Sequence, residues 1–365
     1  MASILDRVAL KVQQQERLTR EDALELFKTD DLIRLGRLAD QVKHRRWEDR
    51  VHFVINRQIN PSNVCVLSCR FCDFATKRGR PNAYEMTIDD ILAKCNAELH
   101  EVHIVGGLHP DWPWSFYLEM FRAIKQRFPQ IQIKAWTAVE IDYFSKKFRL
   151  TVEEVLRQLQ AVGLAALPGG GAEVFSERVR KALFPFKIGA PRWLEIHRIA
   201  HRMGIPTNST LLYGHMETHE ERVDHMLQLR DLQDDTQGFM SFIPLAYQPG
   251  KTQVVTRQTS AIEDLKTIAI SRLLLDNFPH IKAYWVTMGE EIASVALHFG
   301  ADDIDGTIGE ERIMHAADAS SPVTLTRGRL IDLIREAGCT PVERDALYHT
   351  IQIDRDGAHC ESPVS

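Results

Sequence analysis

Long apolar runs are missing from this sequence: none approaches the roughly 20 residues a helix needs to cross a bilayer, so no helical membrane span is expected. Cysteine is scarce too, six among 365 residues, too few for a disulfide framework at this length. Charge of one sign nowhere accumulates. The 45 basic and 50 acidic residues give a formal net charge of -5 and are spread without long runs. A protein that neutralises a phosphate backbone carries a basic stripe, so nucleic acid is not an expected partner. Low-complexity segments and weak linkers are also lacking, and 44% hydrophobic with 26% charged residues excludes a disordered chain. Residues 1–20 are too charged for a secretory leader, so a cytoplasmic, reducing location is expected.

What is present is a repeated alternation of two patterns. Short apolar or alternating runs predict strands at 51–59, 101–105, 131–139, 163–167, 206–213, 239–246, 281–288 and 303–308. Amphipathic stretches predict helices at 88–99, 115–128, 152–161, 192–203, 220–233, 262–277, 290–299 and 326–337. Thr87 and Thr151, with Asp90 and Glu154 three positions on, read as capping boxes, and Gly163, Gly204 and Gly300 as helix ends. Strand-then-helix units of this number predict an α/β fold, a (β/α)8 TIM-type barrel, over 51–345. An N-terminal helical extension is expected over 1–50 and a C-terminal tail over 346–365. In such a barrel chemistry gathers at the C-terminal ends of the strands.

Three of the six cysteines, Cys65, Cys69 and Cys72, fall in the loop after the first strand as C-V-L-S-C-R-F-C, a C-x3-C-x2-C spacing. Thiolates suit zinc or iron-sulfur centres, but a structural zinc ion wants a fourth Cys or His at short spacing, and none follows. Three thiolates on a 4Fe-4S cluster leave one iron open to a small chelating molecule. The spacing therefore favours a cluster over zinc, with a zinc-stabilised binding module as the rival from another class. Cys95, Cys339 and Cys360 read as free thiols without a role. Gly106 and Gly107 end the second strand, where bare backbone can approach a ligand closely. Gly169 to Gly171 end the fourth, and no Lys-Ser or Lys-Thr follows to make a phosphate loop. Arg57, Asn60, Glu140, Thr210, Tyr213, His215, Tyr284 and Met288 are candidates for the barrel mouth, with Asn56 and Gln58 beside Arg57 late in the first strand. Asp302, Asp303 and Asp305 read as caps and loop turns rather than a cation site.

The cysteine spacing after a first barrel strand, with the aromatic Phe71 before the last cysteine, resembles the radical S-adenosylmethionine enzymes. The segments INRQINPSNVCVLSCRFC, EVHIVGGLHPD, IKAWTAVEIDY, LPGGGAEVF, NSTLLYGHMET, DNFPHIKAYW and FGADDIDGTIGEERI are similar to the aminofutalosine synthase family of the futalosine route to menaquinone. Gln58 departs from that family, where His is expected in many members. The resemblance implies a 4Fe-4S cluster on Cys65, Cys69 and Cys72, with S-adenosylmethionine as co-substrate, and an electron donor such as flavodoxin or ferredoxin. It implies S-adenosylmethionine contacts from Phe71, Gly106, Gly107, Gly170, Glu173, Arg180 and Lys187. The implied reaction adds the 5'-deoxyadenosyl radical to the vinyl carbon of 3-[(1-carboxyvinyl)oxy]benzoate, followed by rearrangement and loss of carbon dioxide. For that dicarboxylate Arg57, His109 and His215 are the expected anchors, with Asn60, Glu140, Thr210, Tyr213 and Tyr284 lining the site and His109 or His215 as acid or base. The alternative within the same group is hydrogen abstraction, as in cyclic dehypoxanthinyl futalosine synthase.

Overall fold

The computed structural model describes residues 3–252 and 254–354. Its strands are β1 (Arg50–Val54), β2 (Asn56–Ile59), β3 (Glu101–Ile104), β4 (Gln132–Ala135), β5 (Leu164–Ala166), β6 (Thr207–Tyr213), β7 (Phe239–Ala246), β8 (His280–Ile281), β9 (Asp303–Gly306), β10 (Thr340–Arg344) and β11 (Thr350–Ile353). Three sheets result, ordered β11-β10-β1-β9, β2-β3-β4-β5 and β6-β7-β8, with every pairing parallel except β10 with β11. Single parallel bridges join Leu167 to Thr207 and Lys282 to Asp303, and the chain runs straight from β1 into β2. The circuit is thereby closed into the eight-stranded parallel barrel, β1 and β2 acting as its first strand.

Helices cover the outside. Those expected at 115–128, 152–161, 192–203, 220–233, 262–277 and 326–337 form at Trp114–Arg127, Val152–Ala161, Ala190–Arg202, His219–Thr236, Ala261–Leu274 and Arg327–Glu336. Thr87 and Thr151 make the expected capping boxes with Asp90 and Glu154. The N-terminal segment supplies helices Ile4–Gln14, Arg20–Phe27 and Leu32–Trp47. The third buries Leu35, Leu38 and Ala39 against helix Ala261–Leu274, and Trp47 stacks on His280 at 4.5 Å, so it closes the end of the barrel remote from the cysteines. No helix among the described residues is long and apolar enough to cross a membrane.

Several boundaries differ from expectation. The strand expected at 131–139 stops at Ala135, because Thr137 and Glu140 form a capping box and start helix Ala138–Phe148. The strand expected at 281–288 ends at Ile281, and Trp285–Met288 is a helical turn. Helix Glu177–Leu183 and strand β10 were not expected, and β11 adds an antiparallel strand within the segment expected to be a tail. Cys360 lies outside the described residues.

The barrel interior is ionic near its lower end. Lys134 pairs with Glu101 at 2.7 Å, Lys282 with Asp305 at 3.1 Å, and Arg344 with Asp303 at 2.7 Å, all buried. Asp302 pairs with Arg272 and His280. The three aspartates read as caps are thus buried ion-pair partners instead. Burying a charge is tolerable only when it is paired, and removing one partner strands the other. Replacing Asp303 by Asn leaves the Arg344 guanidinium without its counter-charge; chemical unfolding is expected to show a loss of about 3–5 kcal/mol.

Candidate active site

The cysteines sit in the long connection between β2 and β3, and main-chain bonds brace it at both ends. Cys65 N donates to Thr76 O at 2.9 Å, Val66 N to Leu108 O at 3.0 Å, and Arg70 N to Leu183 O at 2.7 Å. The Lys77 ammonium donates to the carbonyls of Cys65, Val66 and Leu67 at 2.9, 3.0 and 2.7 Å. One side chain thereby satisfies three carbonyls that the turn leaves without partners. Gly107 lies against this loop so closely that a Cβ there would meet the Val64 carbonyl oxygen at 2.2 Å. Gly169 is as tight, its Cβ position 2.4 Å from the Ser209 backbone.

Above the strand ends lies a cavity of about 290 Å³. Cys65, Cys69 and Cys72 line it together with Phe71, Gly106 and Gly107. From the expected set it also gathers Glu140, Gly170, Glu173, Lys187, Thr210 and Tyr284. The thiols are free, Cys65 buried and the other two half-buried. Burial pushes Cys69 up to about 11 and raises Cys72, with Lys187 opposing the rise in both. Such thiols stay protonated until a positive centre displaces the proton, which is the chemistry of metal ligands. Among the described residues, the one trio of potential ligand atoms lying within 4.8 Å of each other is His52, His280 and Asp302, at the far end. Asp302 there is already held by Arg272. Three thiols offer one ligand fewer than the four that a structural zinc ion takes. The donor set fits a cluster better than a lone ion.

Lys187 is half-buried, 5.1 Å above the Phe71 ring and paired with Glu173. Burial disfavours its charge, but Glu173 and Cys69 outweigh burial and leave its pKa raised. Arg180 does not reach the cavity. It pairs with Glu177 at 2.7 Å and donates to the carbonyls of Pro185 and Lys187, so it shapes the turn that carries Lys187. Glu140 Oε1 accepts from Gly106 N at 2.9 Å and Oε2 from Thr137 N at 2.7 Å. Burial still pushes its carboxyl up to about 7.

Strand alternation corrects other expectations. Gln58 faces the cavity, where its Nε2 donates to Tyr284 Oη at 2.9 Å, whereas its neighbour Arg57 points away and packs under Gly309. Asn208, Thr210 and Leu212 of β6 face inward, so Tyr213 faces outward and donates to Asp264 at 2.7 Å. Asn60 is spent on a bond to Val105 O at 2.9 Å. Met288 is buried but does not line the cavity. The two histidines expected to act in catalysis also miss it. His109 Nδ1 accepts from Asp111 N and Trp112 N, with Glu85 3.1 Å from Nε2. His215 Nδ1 accepts from Met216 N at 2.7 Å, and its Nε2 bonds Leu212 O at 3.0 Å. Both rings tie turns together.

Other polar groups reach the cavity from the barrel interior. Lys134 and His103 form part of the floor, and burial lowers His103 to about 4, which keeps it neutral. Asn208 Oδ1 is taken by Ser241 at 2.9 Å, which leaves its NH2 group to donate. Burial raises Tyr284 well above its usual range, so its phenol stays protonated. Period-two alternation from Thr210 was the sequence signal for Asn208, whereas His103 and Lys134 share the register of Gln58 across β2, β3 and β4, which only the pairing reveals.

The profile described as the radical SAM superfamily matches residues 59–229, and that described as the CofH/MqnC C-terminal region matches 236–356. An aminodeoxyfutalosine synthase from Thermus thermophilus is 47% identical, covering 95% of this chain and 95% of its own. A cyclic dehypoxanthine futalosine synthase from Streptomyces coelicolor is 40% identical, over 98% and 90% of the two chains. Among solved structures, methylornithine synthase (PylB) superposes with a TM-score of 0.73 at 18% identity, over 92% of this chain and 97% of its own, a likeness of fold. With its cysteine loop, closed parallel barrel and near-full-length relatives, this chain belongs to the radical SAM superfamily and, within it, to the aminodeoxyfutalosine synthase family.

Proposed function

We propose that this enzyme makes aminodeoxyfutalosine from S-adenosylmethionine and 3-[(1-carboxyvinyl)oxy]benzoate in menaquinone biosynthesis, in a cytoplasmic setting and with an electron supplied by a carrier such as flavodoxin or ferredoxin. The observation that carries the reading is one cavity in which three free thiols, two glycine segments and a set of uncharged donors converge. Cys65, Cys69 and Cys72 would hold the 4Fe-4S cluster, which when bound supplies the one electron that cleaves S-adenosylmethionine to methionine and an adenosyl radical able to add to the vinyl carbon.

The chain's own groups divide the remaining work. Gly106, Gly107 and Gly170 let backbone come close to S-adenosylmethionine, and Glu140, tied to Gly106 N, is assigned to its amino group. Glu173 and Lys187 form a neutral pair beside the thiols, suited to the carboxylate and hydroxyl groups of the same molecule. For the two carboxylates of the benzoate the supporting geometry is Lys134 on the floor with Tyr284 and Asn208 as donors. Apolar walls from Leu108, Val139, Ile243 and Leu245 exclude water, which a carbon radical requires. With His109 and His215 engaged elsewhere, Glu140 is the group in the cavity that titrates near neutrality.

Product mass tests the reading. Anaerobic incubation of cluster-loaded protein with both substrates is expected to give an adduct that retains the adenosyl group; free 5'-deoxyadenosine in equal amount to turnover favours hydrogen abstraction instead. Glu140 gives a second test. Below about pH 7 its carboxyl is protonated and neutral, and above that pH it carries the charge that accepts an amino N–H. The affinity of wild type for S-adenosylmethionine, relative to Glu140→Gln, is expected to rise about tenfold between about pH 6 and about pH 8 by calorimetry. A ratio independent of pH removes Glu140 from this role.

A further inference from the structure

The cysteine loop has two faces. Its inner face lines the cavity; its outer face forms a surface hollow of about 360 Å³, and Leu67, Cys69, Cys72 and Ala75 line both. One loop of chain is therefore all that separates the thiols from solvent on that side.

Around the outer hollow the charge departs from that of the whole protein, whose formal net charge is -5. Arg70, Lys77 and Arg80 are exposed there, and Lys77 and Arg80 line the hollow itself. None of the three has a carboxylate partner among the described residues. Lys77 is bonded to the three loop carbonyls, and Arg70 donates to Ala182 O at 3.3 Å. Nearby cations are matched, by contrast: Arg78 pairs with Asp111 at 2.6 Å and Arg180 with Glu177 at 2.7 Å. Two large apolar side chains are exposed on the loop and on the segment bonded to it, Val66 at 44% and Phe186 at 74%; the main-chain bond from Arg70 to Leu183 joins the loop to the segment that carries Phe186. Unpaired cations around exposed apolar anchors are the composition of a transient protein interface that meets a surface of opposite charge.

We propose that the outer face of the cysteine loop is the docking surface for a small acidic one-electron carrier protein. Arg70, Lys77 and Arg80 steer it, while Val66 and Phe186 make the dry contact. The electron balance is simple: the reduced carrier loses one electron, the cluster gains one, and no atom is transferred. This deepens the reading above and rests on the cysteines holding a cluster.

The test uses the cluster-loaded holoenzyme, with reduced flavodoxin as the probe. Arg70 and Arg80 are reversed together to Glu; Lys77 is left alone because it shapes the loop. Stopped-flow bleaching of the cluster's visible absorbance reads the second-order reduction rate at several ionic strengths, with dithionite as a small-molecule control. The expected result is a wild-type rate that falls with salt, and a variant at least about tenfold slower at low salt that has lost most of that dependence. Iron content and the dithionite rate stay as in wild type. Equal flavodoxin rates in the two proteins, or a wild-type rate indifferent to salt, overturn the proposal. Should the double variant lose iron, Phe186→Ser decides by the same readout, since a side chain 74% exposed contributes little to folding: a several-fold slower flavodoxin rate supports the surface, and an unchanged one overturns it. A wild-type protein that takes up no cluster contradicts the underlying reading and not the docking surface.

Discussion

The three thiols face the cavity because the loop that carries them lies directly on bare main chain. At Gly107 a single added carbon would stand 2.2 Å from the Val64 carbonyl oxygen, and at Gly169 the Ser209 backbone is as close. These contacts let strand ends and cysteine loop share one surface. They also turn loop carbonyls toward solvent, and the Lys77 ammonium collects three of them. The orientation of the thiols, the shape of the cavity above β2 and β3, and the thinness of the wall toward the outer hollow all follow from that seating.

Below the cavity the barrel is filled with paired charge rather than with branched apolar layers. Each buried cation has its carboxylate, as in the pairs of Lys134 with Glu101 and Arg344 with Asp303. Such pairs add little net stability, because desolvation offsets attraction, but they hold polar groups in fixed orientations. The floor that a charged substrate would meet is therefore ordered before it binds. The anchors expected for a dicarboxylate at the barrel mouth were Arg57, His109 and His215. Instead the cavity holds Lys134 and Lys187, both already paired, beside the neutral side chains of Tyr284 and Asn208, while Arg70, Lys77 and Arg80, without a carboxylate partner among the described residues, lie outside on the cysteine loop.

The fold was largely legible because helix periodicity and capping are local properties. Thr87 with Asp90 and Thr151 with Glu154 marked helix starts that the structure repeats. Thr137 with Glu140 carries the same capping box and was passed over, because the apolar run from Ile131 continued through it. Strand β10 was missed because its pairing is long-range, on β1 nearly three hundred residues earlier, and β11 because it exists only as the antiparallel partner of β10. In the site, the cysteines and glycines were legible because their chemistry is tied to spacing. Arg57, Tyr213 and the two histidines were misjudged for two separate reasons. Alternation sends Arg57 and Tyr213 to the outside of the barrel, and the histidines lie in turns whose main-chain groups claim Nδ1 of His109 and both ring nitrogens of His215.

The central claim is that Cys65, Cys69 and Cys72 hold a cluster whose remaining iron faces the cavity. Electron-nuclear double resonance on the reduced holoenzyme, with S-adenosylmethionine carrying 15N in its amino group, addresses it directly. The account predicts a 15N coupling of the size that a direct iron–nitrogen bond gives, appearing when the labelled molecule is added. A reduced cluster that shows no such coupling at saturating S-adenosylmethionine would contradict it.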